Sequence, residues 1–461
     1  MFQGRKKELL DLHEEFSSEK KSAILIYGKR RVGKSFLINK ALEDFYGIAV
    51  NFLCIKSTFK GNLSLLSKAV SESFAFPNMN FDSLFDLFKF LKAQNKRILV
   101  VLDEYQYLKE SLKEMEMDSI MQAIIDDFSD NMKIILCGSY ISIMKELMNE
   151  ENPLFGRFTK IVKLEEFDYF DSQLFYPKIP NREKIRFYSV FGGSPYILSN
   201  LDFSKTIEEN IIEKLINQNS IFRTYIENIM LREIQKSFDI RILESLKNGK
   251  KRFNEILHFV SASDSSLLDK QLKNLLQMET INKIFPINKK SDKKKQFYEL
   301  NDNLMRFYFA YIFGNDNLIL KFGEKEFFEK KISSSLNTFV SLRFEKIANQ
   351  YFMRLAHQGK LKEIEDFGSF WYDDKKNSKN GQFDCVLKRK DSYDFYEVKF
   401  FENPMILSEC EKEESQINGI LKEQNIKIGK IGFICSEGFK FSSEKYVLLD
   451  AKDLYKPNLE L

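Results

Sequence analysis

Cysteine and histidine are scarce in this chain of 461 residues, which contains five cysteines and three histidines. The cysteines, at positions 54, 137, 385, 410 and 435, form no C-x-x-C pair. This spacing excludes the common zinc-binding patterns, and it predicts reduced thiols of the kind found in cytosolic proteins.

Long apolar runs are absent as well, since no segment approaches the roughly 20 apolar residues that a membrane-spanning helix needs. The N-terminus, Met1-Phe2-Gln3-Gly4-Arg5, lacks the hydrophobic region of a signal peptide. An excess of one charge is also missing, because 71 basic residues against 67 acidic ones leave a formal charge of +4. We therefore expect a cytoplasmic protein with no membrane partner and no overall electrostatic preference for nucleic acid.

The most informative motif is Gly28-Lys29-Arg30-Arg31-Val32-Gly33-Lys34-Ser35, a complete G-x-x-x-x-G-K-[ST] loop. It follows an apolar run at 23–27 and precedes a helical pattern that begins at Phe36. Gly28 and Gly33 would let backbone N–H groups turn toward phosphates, while Lys34 would reach the β- and γ-phosphates and Ser35 would ligate Mg²⁺. The motif predicts a nucleoside-triphosphate site; the alternative is an ordinary glycine turn.

Two acids, Asp103 and Glu104, follow the apolar run at 98–102. At the carboxyl end of a buried parallel strand, Asp103 would hold Mg²⁺ directly or through water, and Glu104 would orient and deprotonate the attacking water. The alternative is a pair of solvated acids at the start of a loop. Ser139 follows another apolar run, where it would either sense the γ-phosphate or cap a helix.

The length of the chain predicts several domains, because it exceeds what a single core supports. Strand-like runs at 23–27, 48–53, 98–102, 134–138 and 159–164 alternate with helical patterns, which predicts an α/β P-loop domain with a parallel sheet at residues 1–170. Beyond it we expect a helical lid at 171–235, a winged helix with connecting helices at 236–335, and a third domain at 336–461. The basic turn at 288–295 predicts a solvated hairpin tip, with a DNA contact as the alternative.

Up to the winged helix, the chain resembles the archaeal-type AAA+/STAND P-loop ATPases. Besides the phosphate motifs, the resemblance rests on Phe2-Gln3-Gly4-Arg5 with Glu8-Leu9, on Gly193-Ser194-Pro195, and on Pro153-Leu154-Phe155-Gly156-Arg157. It implies that the nucleotide is ATP, and that Gly4, Arg5, Gly193 and Pro195 lie near it. It also implies that Arg157 neutralises γ-phosphate charge in its own subunit or in a neighbouring copy of a homo-oligomer, unless it is an ordinary surface arginine.

The third domain is similar to the PD-(D/E)xK nuclease-like domains that many of these ATPases carry, which implies an α/β restriction-endonuclease-like fold. The pattern consists of Glu345 in a helix, Asp384 at the start of a strand, and Glu397 and Lys399 on the next strand. Glu397 and Lys399 share a strand face, so that with Asp384 they would gather Mg²⁺ and activate water, while Glu345 completes the metal shell. Lys399 would orient the water or stabilise the pentavalent phosphate. The alternative is an E-x-K pattern on a solvated face, and Gln382 departs from the family's pattern.

These patterns support two functional hypotheses. In the first, ATP binding and hydrolysis gate a C-terminal domain that binds or cleaves DNA. In the alternative, the chain is a STAND-type regulatory switch that binds DNA or protein without nuclease activity. A third hypothesis, a nucleotide-binding scaffold without turnover, is disfavoured because both Lys34 and Glu104 are present.

Overall fold

The computed structural model describes residues 3–113, 115–227, 238–261, 264–374, 379–422 and 426–457. The described chain forms two compact units, Met1–Glu166 and Phe167–Leu461. Phe2 of the opening motif and residues 228–237, where the expected lid meets the expected winged helix, lie outside the described residues. No helix within the described ranges combines the length and the apolar composition that crossing a membrane requires.

The first unit is built on a five-stranded sheet. Its strands are β1 (Ser22–Tyr27), β2 (Ile48–Leu53), β3 (Ile98–Asp103), β4 (Met132–Gly138) and β5 (Lys160–Lys163). They lie in the order β2-β3-β4-β1-β5, and every neighbouring pair is parallel. Every residue of β1, β3 and β4 is buried, as their continuous apolar runs predict. The predicted parallel α/β sheet is confirmed.

Helices cover both faces of this sheet. They are α1 (Lys6–Ser17), α2 (Lys34–Leu42), α3 (Phe59–Ser73), α4 (Leu84–Ala93), α5 (Gln106–Lys109), α6 (Glu116–Asp126) and α7 (Ile141–Glu146). Apolar side chains of α1 and α2 pack with Ile24 and Ile26 on one face, whereas α3, α4, α6 and α7 pack with Leu25 on the other. This alternation along β1 follows from the two-residue period of a strand and leaves the carboxyl edge of the sheet open for a site.

The second unit begins with short helices. They are α8 (Tyr169–Ser172), α9 (Asn181–Phe191), α10 (Pro195–Leu198), α11 (Ile207–Ile211) and α12 (Ile221–Tyr225), with a 3-10 turn at Gln173–Phe175 and a π-helical turn at Ile212–Ile216. Packing requires glycine at position 193, because an added Cβ would lie 1.7 Å from the carbonyl oxygen of Phe167. Pro195 occupies the first turn of α10, where its missing N–H costs no hydrogen bond.

Three helices and a hairpin come next. They are α13 (Arg241–Ser245), α14 (Phe253–Val260), α15 (Ser265–Gln277), β6 (Ile281–Ile284) and β7 (Phe297–Leu300). The strands pair antiparallel, and Lys251 forms a further bridge to Tyr298. The expected hairpin is therefore present, with a 3-10 turn at Lys293–Lys295 in its connection. The winged-helix assignment stays a prediction.

Connecting helices lead to a second sheet. They are α16 (Asn303–Phe307), a π-helical turn at Tyr308–Ile312, α17 (Asp316–Phe322), α18 (Glu324–Lys331), a 3-10 turn at Ser333–Ser335, and the long α19 (Leu336–His357). The strands are β8 (Asp366–Asp374), β9 (Lys379–Lys388), β10 (Tyr393–Lys399), β11 (Ile428–Cys435) and β12 (Val447–Asp450), joined by α20 (Leu407–Lys422) and followed by α21 (Ala451–Leu454). Strands β8, β9 and β10 pair antiparallel, whereas β10, β11 and β12 pair parallel.

The second sheet is covered on both faces, and one of its two cores extends through the whole second unit. Apolar side chains of α20 pack on one face with Phe395 and Phe433. On the other face α19 packs with Tyr396 and Val398, within a continuous apolar cluster that also includes the first helices of the unit and α13 to α15. The lid, winged-helix and C-terminal regions expected from the sequence thus share a core. A separate C-terminal α/β sheet is present, and its nuclease-like character stays a prediction.

Candidate functional site

The phosphate-binding motif forms a tight loop between β1 and α2. Gly28 and Gly33 have φ angles of 159° and 94°, and a Cβ on Gly28 would lie 2.0 Å from the carbonyl oxygen of Leu164. The Nζ atom of Lys34 donates to the carbonyl oxygens of Gly28 and Lys29, each at 2.9 Å. The loop therefore wraps around its own lysine, which is 5% exposed.

Burial lowers the pKa of Lys34, and the nearby Asp103 and Glu104 carboxylates oppose that shift. The lysine therefore lies close to Asp103, the last residue of β3, and to Glu104, which follows it. A phosphate group that replaced the two loop carbonyls would give the ammonium a charged partner, which is a stronger interaction than either carbonyl offers.

Ser35 and Asp103 are in direct contact at the carboxyl edge of the sheet. Ser35 Oγ donates to Asp103 Oδ2 at 2.6 Å, and the Glu104 N–H donates to Asp103 Oδ1 at 2.9 Å. A hydroxyl and a carboxylate are the oxygen ligands that Mg²⁺ accepts, and Mg²⁺ usually takes only one or two carboxylates together with substrate phosphates and waters. The chemistry of this pair therefore fits a nucleotide-bound Mg²⁺.

Glu104 is held beside Ser139, as the expected roles of these residues require. Ser139 Oγ donates to Glu104 Oε2 at 2.7 Å. The side-chain amide of Gln106 donates to the same carboxylate oxygen and, at 3.3 Å, to Ser139 Oγ. Gln106 is fully buried, and the sequence analysis missed it. Its position in the helical turn directly after the acid pair is the signal that could have identified it.

Arg157 lies at the opposite edge of the sheet from the phosphate loop, so the expected action on the nucleotide of its own subunit is not supported. Its Nε and Nη2 donate to the Asp126 carboxylate at 3.0–3.2 Å. Asp126 ends α6, and its carbonyl accepts from Lys21, which precedes β1. The phosphate loop follows the far end of β1, and a strand of this length spans about 20 Å. Action on a neighbouring copy stays a prediction.

The opening motif lies against the phosphate loop. The Arg5 guanidinium donates to the carbonyl oxygen of Val32 at 3.3 Å, to the carbonyl of Glu165, and to the Glu8 carboxylate at 3.3 Å. Gly4 and Arg5 both have positive φ angles, of 67° and 58°. These contacts place both residues beside the loop, whereas their proximity to adenine stays a prediction. The same holds for Gly193 and Pro195, which belong to the second unit.

In the second unit, the four residues of the predicted nuclease pattern lie together. Lys399 pairs with Glu397 at 2.8 Å and with Glu413 of α20 at 2.9 Å. Burial raises the pKa of Glu345, and the adjacent Asp384 raises it further. Burial likewise raises the pKa of Glu397, against the opposing effect of Lys399.

A lysine that the sequence analysis missed pairs with one carboxylate of this cluster. Lys250, between α13 and α14, pairs with Asp384 Oδ1 at 2.8 Å. The two residues are 134 positions apart, so no local pattern could have connected them. Lys250 and Lys399 together neutralise carboxylates that a metal ion would otherwise use. Across the described ranges, no group of three or more His, Cys, Asp or Glu side chains is arranged to hold a metal ion.

Part of the basic turn packs on the edge strand β8, which differs from the expected solvated tip. The Ile287 N–H donates to the Ser369 carbonyl at 2.7 Å, and the Asn288 side chain bonds both backbone groups of Trp371, at 2.8 and 2.9 Å. Lys290 pairs with Asp366 at 2.6 Å. The acids of β8 attract this part of the turn, and the packing covers backbone groups that an edge strand would otherwise expose.

Two family models match separate parts of the chain. Residues 2–201 match the family described as "ATPase domain predominantly from Archaea", and residues 308–416 match the family described as "Archaea bacterial proteins of unknown function". The first match shows that residues 2–201 are similar to an ATPase domain. The second gives no activity to the C-terminal part.

Three archaeal proteins are among those similar to this chain. The chain is 28% identical over 380 residues to the uncharacterized protein MJECL04 of Methanocaldococcus jannaschii, with 81% of this chain and 82% of that protein covered. The fold of this chain is similar to that of the Walker-type ATPase PABY2304 of Pyrococcus abyssi, at 19% identity and a TM-score of 0.49. The similarity covers 67% of this chain and 96% of the Pyrococcus abyssi chain. The fold is also similar to that of the ORC2 protein of Aeropyrum pernix in its ADPNP–ADP complexes, at 13% identity and a TM-score of 0.47, covering 69% and 95% of the two chains.

Proposed function

We propose that the chain binds and hydrolyses ATP with Mg²⁺ at the carboxyl edge of the first sheet. The contact between Ser35 and Asp103, with Lys34 and Glu104 beside it, is the observation that carries this proposal. ATP, rather than another nucleotide, is supported by the match of residues 2–201 to an ATPase domain family.

Each residue of the site has a distinct task in this proposal. Backbone N–H groups of the phosphate loop bind the phosphates, and Lys34 exchanges its two carbonyl partners for phosphate oxygens. Ser35 and Asp103 would hold Mg²⁺, which when bound neutralises phosphate charge. Glu104 accepts the proton of the attacking water, and Ser139 keeps that carboxylate oriented.

The test is the replacement of Lys34 by alanine. Losing a charged hydrogen bond to phosphate is expected to weaken ATP binding by about tenfold to a hundredfold, which isothermal titration in the presence of Mg²⁺ measures. Lys40→Ala, which removes an exposed lysine of the same helix that pairs with Glu43, is the matched control. Unchanged ATP affinity in Lys34→Ala would contradict the proposed site.

For the second unit, the geometry favours a nucleotide-controlled switch that binds DNA or protein without cleaving nucleic acid. The pairing of Lys250 with Asp384 and of Lys399 with Glu397 supports this alternative, because both carboxylates already have cationic partners. Nucleic-acid cleavage is the second candidate, since Glu345, Asp384, Glu397 and Lys399 lie together. Oligomer formation, on which a role for Arg157 would depend, is part of neither proposal.

The wild-type protein is accordingly expected to leave single- and double-stranded DNA intact with Mg²⁺, both with and without ATP. The assay is run in parallel on Lys250→Ala and on Asp384→Ala. Cleavage by the wild type that disappears in Asp384→Ala would show that the second unit is a nuclease and would contradict the switch. Cleavage that appears only in Lys250→Ala would show that Lys250 blocks a competent site, whereas cleavage by none of the three supports the switch.

A further inference from the structure

Arg30, the third residue of the phosphate loop, connects the two loops that carry the proposed catalytic groups. Its Nη2 donates to the hydroxyl oxygens of Tyr107 and Tyr140 at 3.0 and 3.2 Å. The guanidinium carbon also lies 5.2 Å from the centre of the Tyr140 ring, within the range of a cation–π interaction. Tyr107 lies in α5, just after Glu104, and Tyr140 directly follows Ser139.

This position brings a guanidinium cation to the edge of the first sheet that carries Glu104 and Ser139. The field of Arg30 also reaches Lys34, since burial is the main cause of the lowered pKa of Lys34 and the charge of Arg30 adds to it. Arg30 and Lys34 are thus two interacting cations of the same phosphate loop.

Phosphoryl transfer requires positive charge where negative charge develops on the γ-phosphate oxygens. Arg157, the arginine that the sequence analysis suggested, lies at the other edge of the sheet and binds Asp126. The phenol contacts of Arg30 hold its guanidinium instead at the edge that carries Glu104 and Ser139. We propose that Arg30 supplies this charge to the γ-phosphate of the nucleotide bound to its own subunit. This inference rests on the proposed ATPase function.

The experiment compares three substitutions of Arg30 in the full-length protein. Arg30→Gln keeps a side chain that can hydrogen-bond the two phenols but removes the charge, Arg30→Lys keeps the charge, and Arg30→Ala removes both. The charge has its effect in the transition state, so Arg30→Gln and Arg30→Ala are expected to lower kcat by about a hundredfold while ATP affinity changes little. Arg30→Lys is expected to retain more of kcat than Arg30→Gln. Thermal unfolding of each variant shows whether it is folded.

Several outcomes would overturn the inference. If Arg30→Gln hydrolyses ATP like the wild type, Arg30 only tethers the two tyrosines. If ATP affinity falls while kcat stays unchanged, Arg30 binds the ground state and the transition state equally and gives no transition-state charge. Lys34→Ala separates the two proposals: impaired ATP binding and hydrolysis in Lys34→Ala, with full activity in every Arg30 variant, would overturn the role of Arg30 alone. Absence of hydrolysis by the wild type would overturn both.

Discussion

Replacing Glu104 by glutamine is expected to lower the rate of ATP hydrolysis by about 10³-fold, because an amide cannot accept the proton of the attacking water. ATP should stay bound, since Lys34, Ser35 and the loop N–H groups are unchanged. Glutamine has nearly the same size as glutamate, and its amide can still hydrogen-bond the Ser139 hydroxyl, which contacts Glu104 at 2.7 Å. The substitution therefore changes the chemistry of the site while leaving its packing intact.

Single-turnover hydrolysis and retention of labelled ATP on the protein together measure this effect. Glu110→Gln, at an exposed position after α5, is a matched control that removes the same charge away from the site. Rapid hydrolysis by Glu104→Gln would assign the proton acceptor to another group. Loss of ATP binding by Glu104→Gln would instead show that Glu104 maintains the shape of the nucleotide site.

Asp118→Ala is expected to destabilise the first unit by about 3–5 kcal/mol, because it leaves a buried lysine without its main partner. Asp118 is fully buried on α6 and pairs with Lys109, which is itself 8% exposed. Asp118 also accepts from the Tyr105 hydroxyl at 3.1 Å and from the Asn152 amide at 2.8 Å. After the substitution, Lys109 retains Glu146 at 3.2 Å, but the two neutral donors lose their acceptor.

Hydrogen exchange of the β3 and β4 amides measures this loss within the first unit, and it does not require the two units to unfold together. Asp127→Ala is the control, because it breaks an exposed pair with Lys92 and should cost less than about 1 kcal/mol. Equal protection of the β3 amides in Asp118→Ala and Asp127→Ala would contradict the role of the buried ion pair. Asp118→Asn is expected to fall between them, since it keeps the shape but not the charge.

The first sheet and most of its site could be predicted from sequence because the relevant signals are local. Continuous apolar runs identified β1, β3 and β4, and the carboxyl ends of parallel strands must meet at one edge. That rule predicted that Asp103, Glu104 and Ser139 would lie at the edge of the sheet that carries the phosphate loop. The role suggested for Arg157 rested on a motif alone, and the motif carried no information about which edge of the sheet it would occupy.

Contacts of the second unit were harder to predict because they join distant parts of the chain. Lys250 forms an ion pair with Asp384, and the Asn288 side chain hydrogen-bonds the backbone of Trp371. No local periodicity in the sequence reveals either contact. The sequence analysis also missed strands β8 and β12.

The shared core of the second unit determines how this part of the chain can be divided in the laboratory. Helix α19 packs on α9, where the Gln350 amide donates to the Tyr188 hydroxyl at 2.9 Å. Arg354 of α19 also pairs at 2.6 Å with Asp168, which directly precedes α8. A fragment beginning at residue 336 would lose these partners together with Lys250, and it would carry a bare apolar face prone to aggregation. Experiments on the C-terminal sheet therefore require a fragment that contains all of Phe167–Leu461.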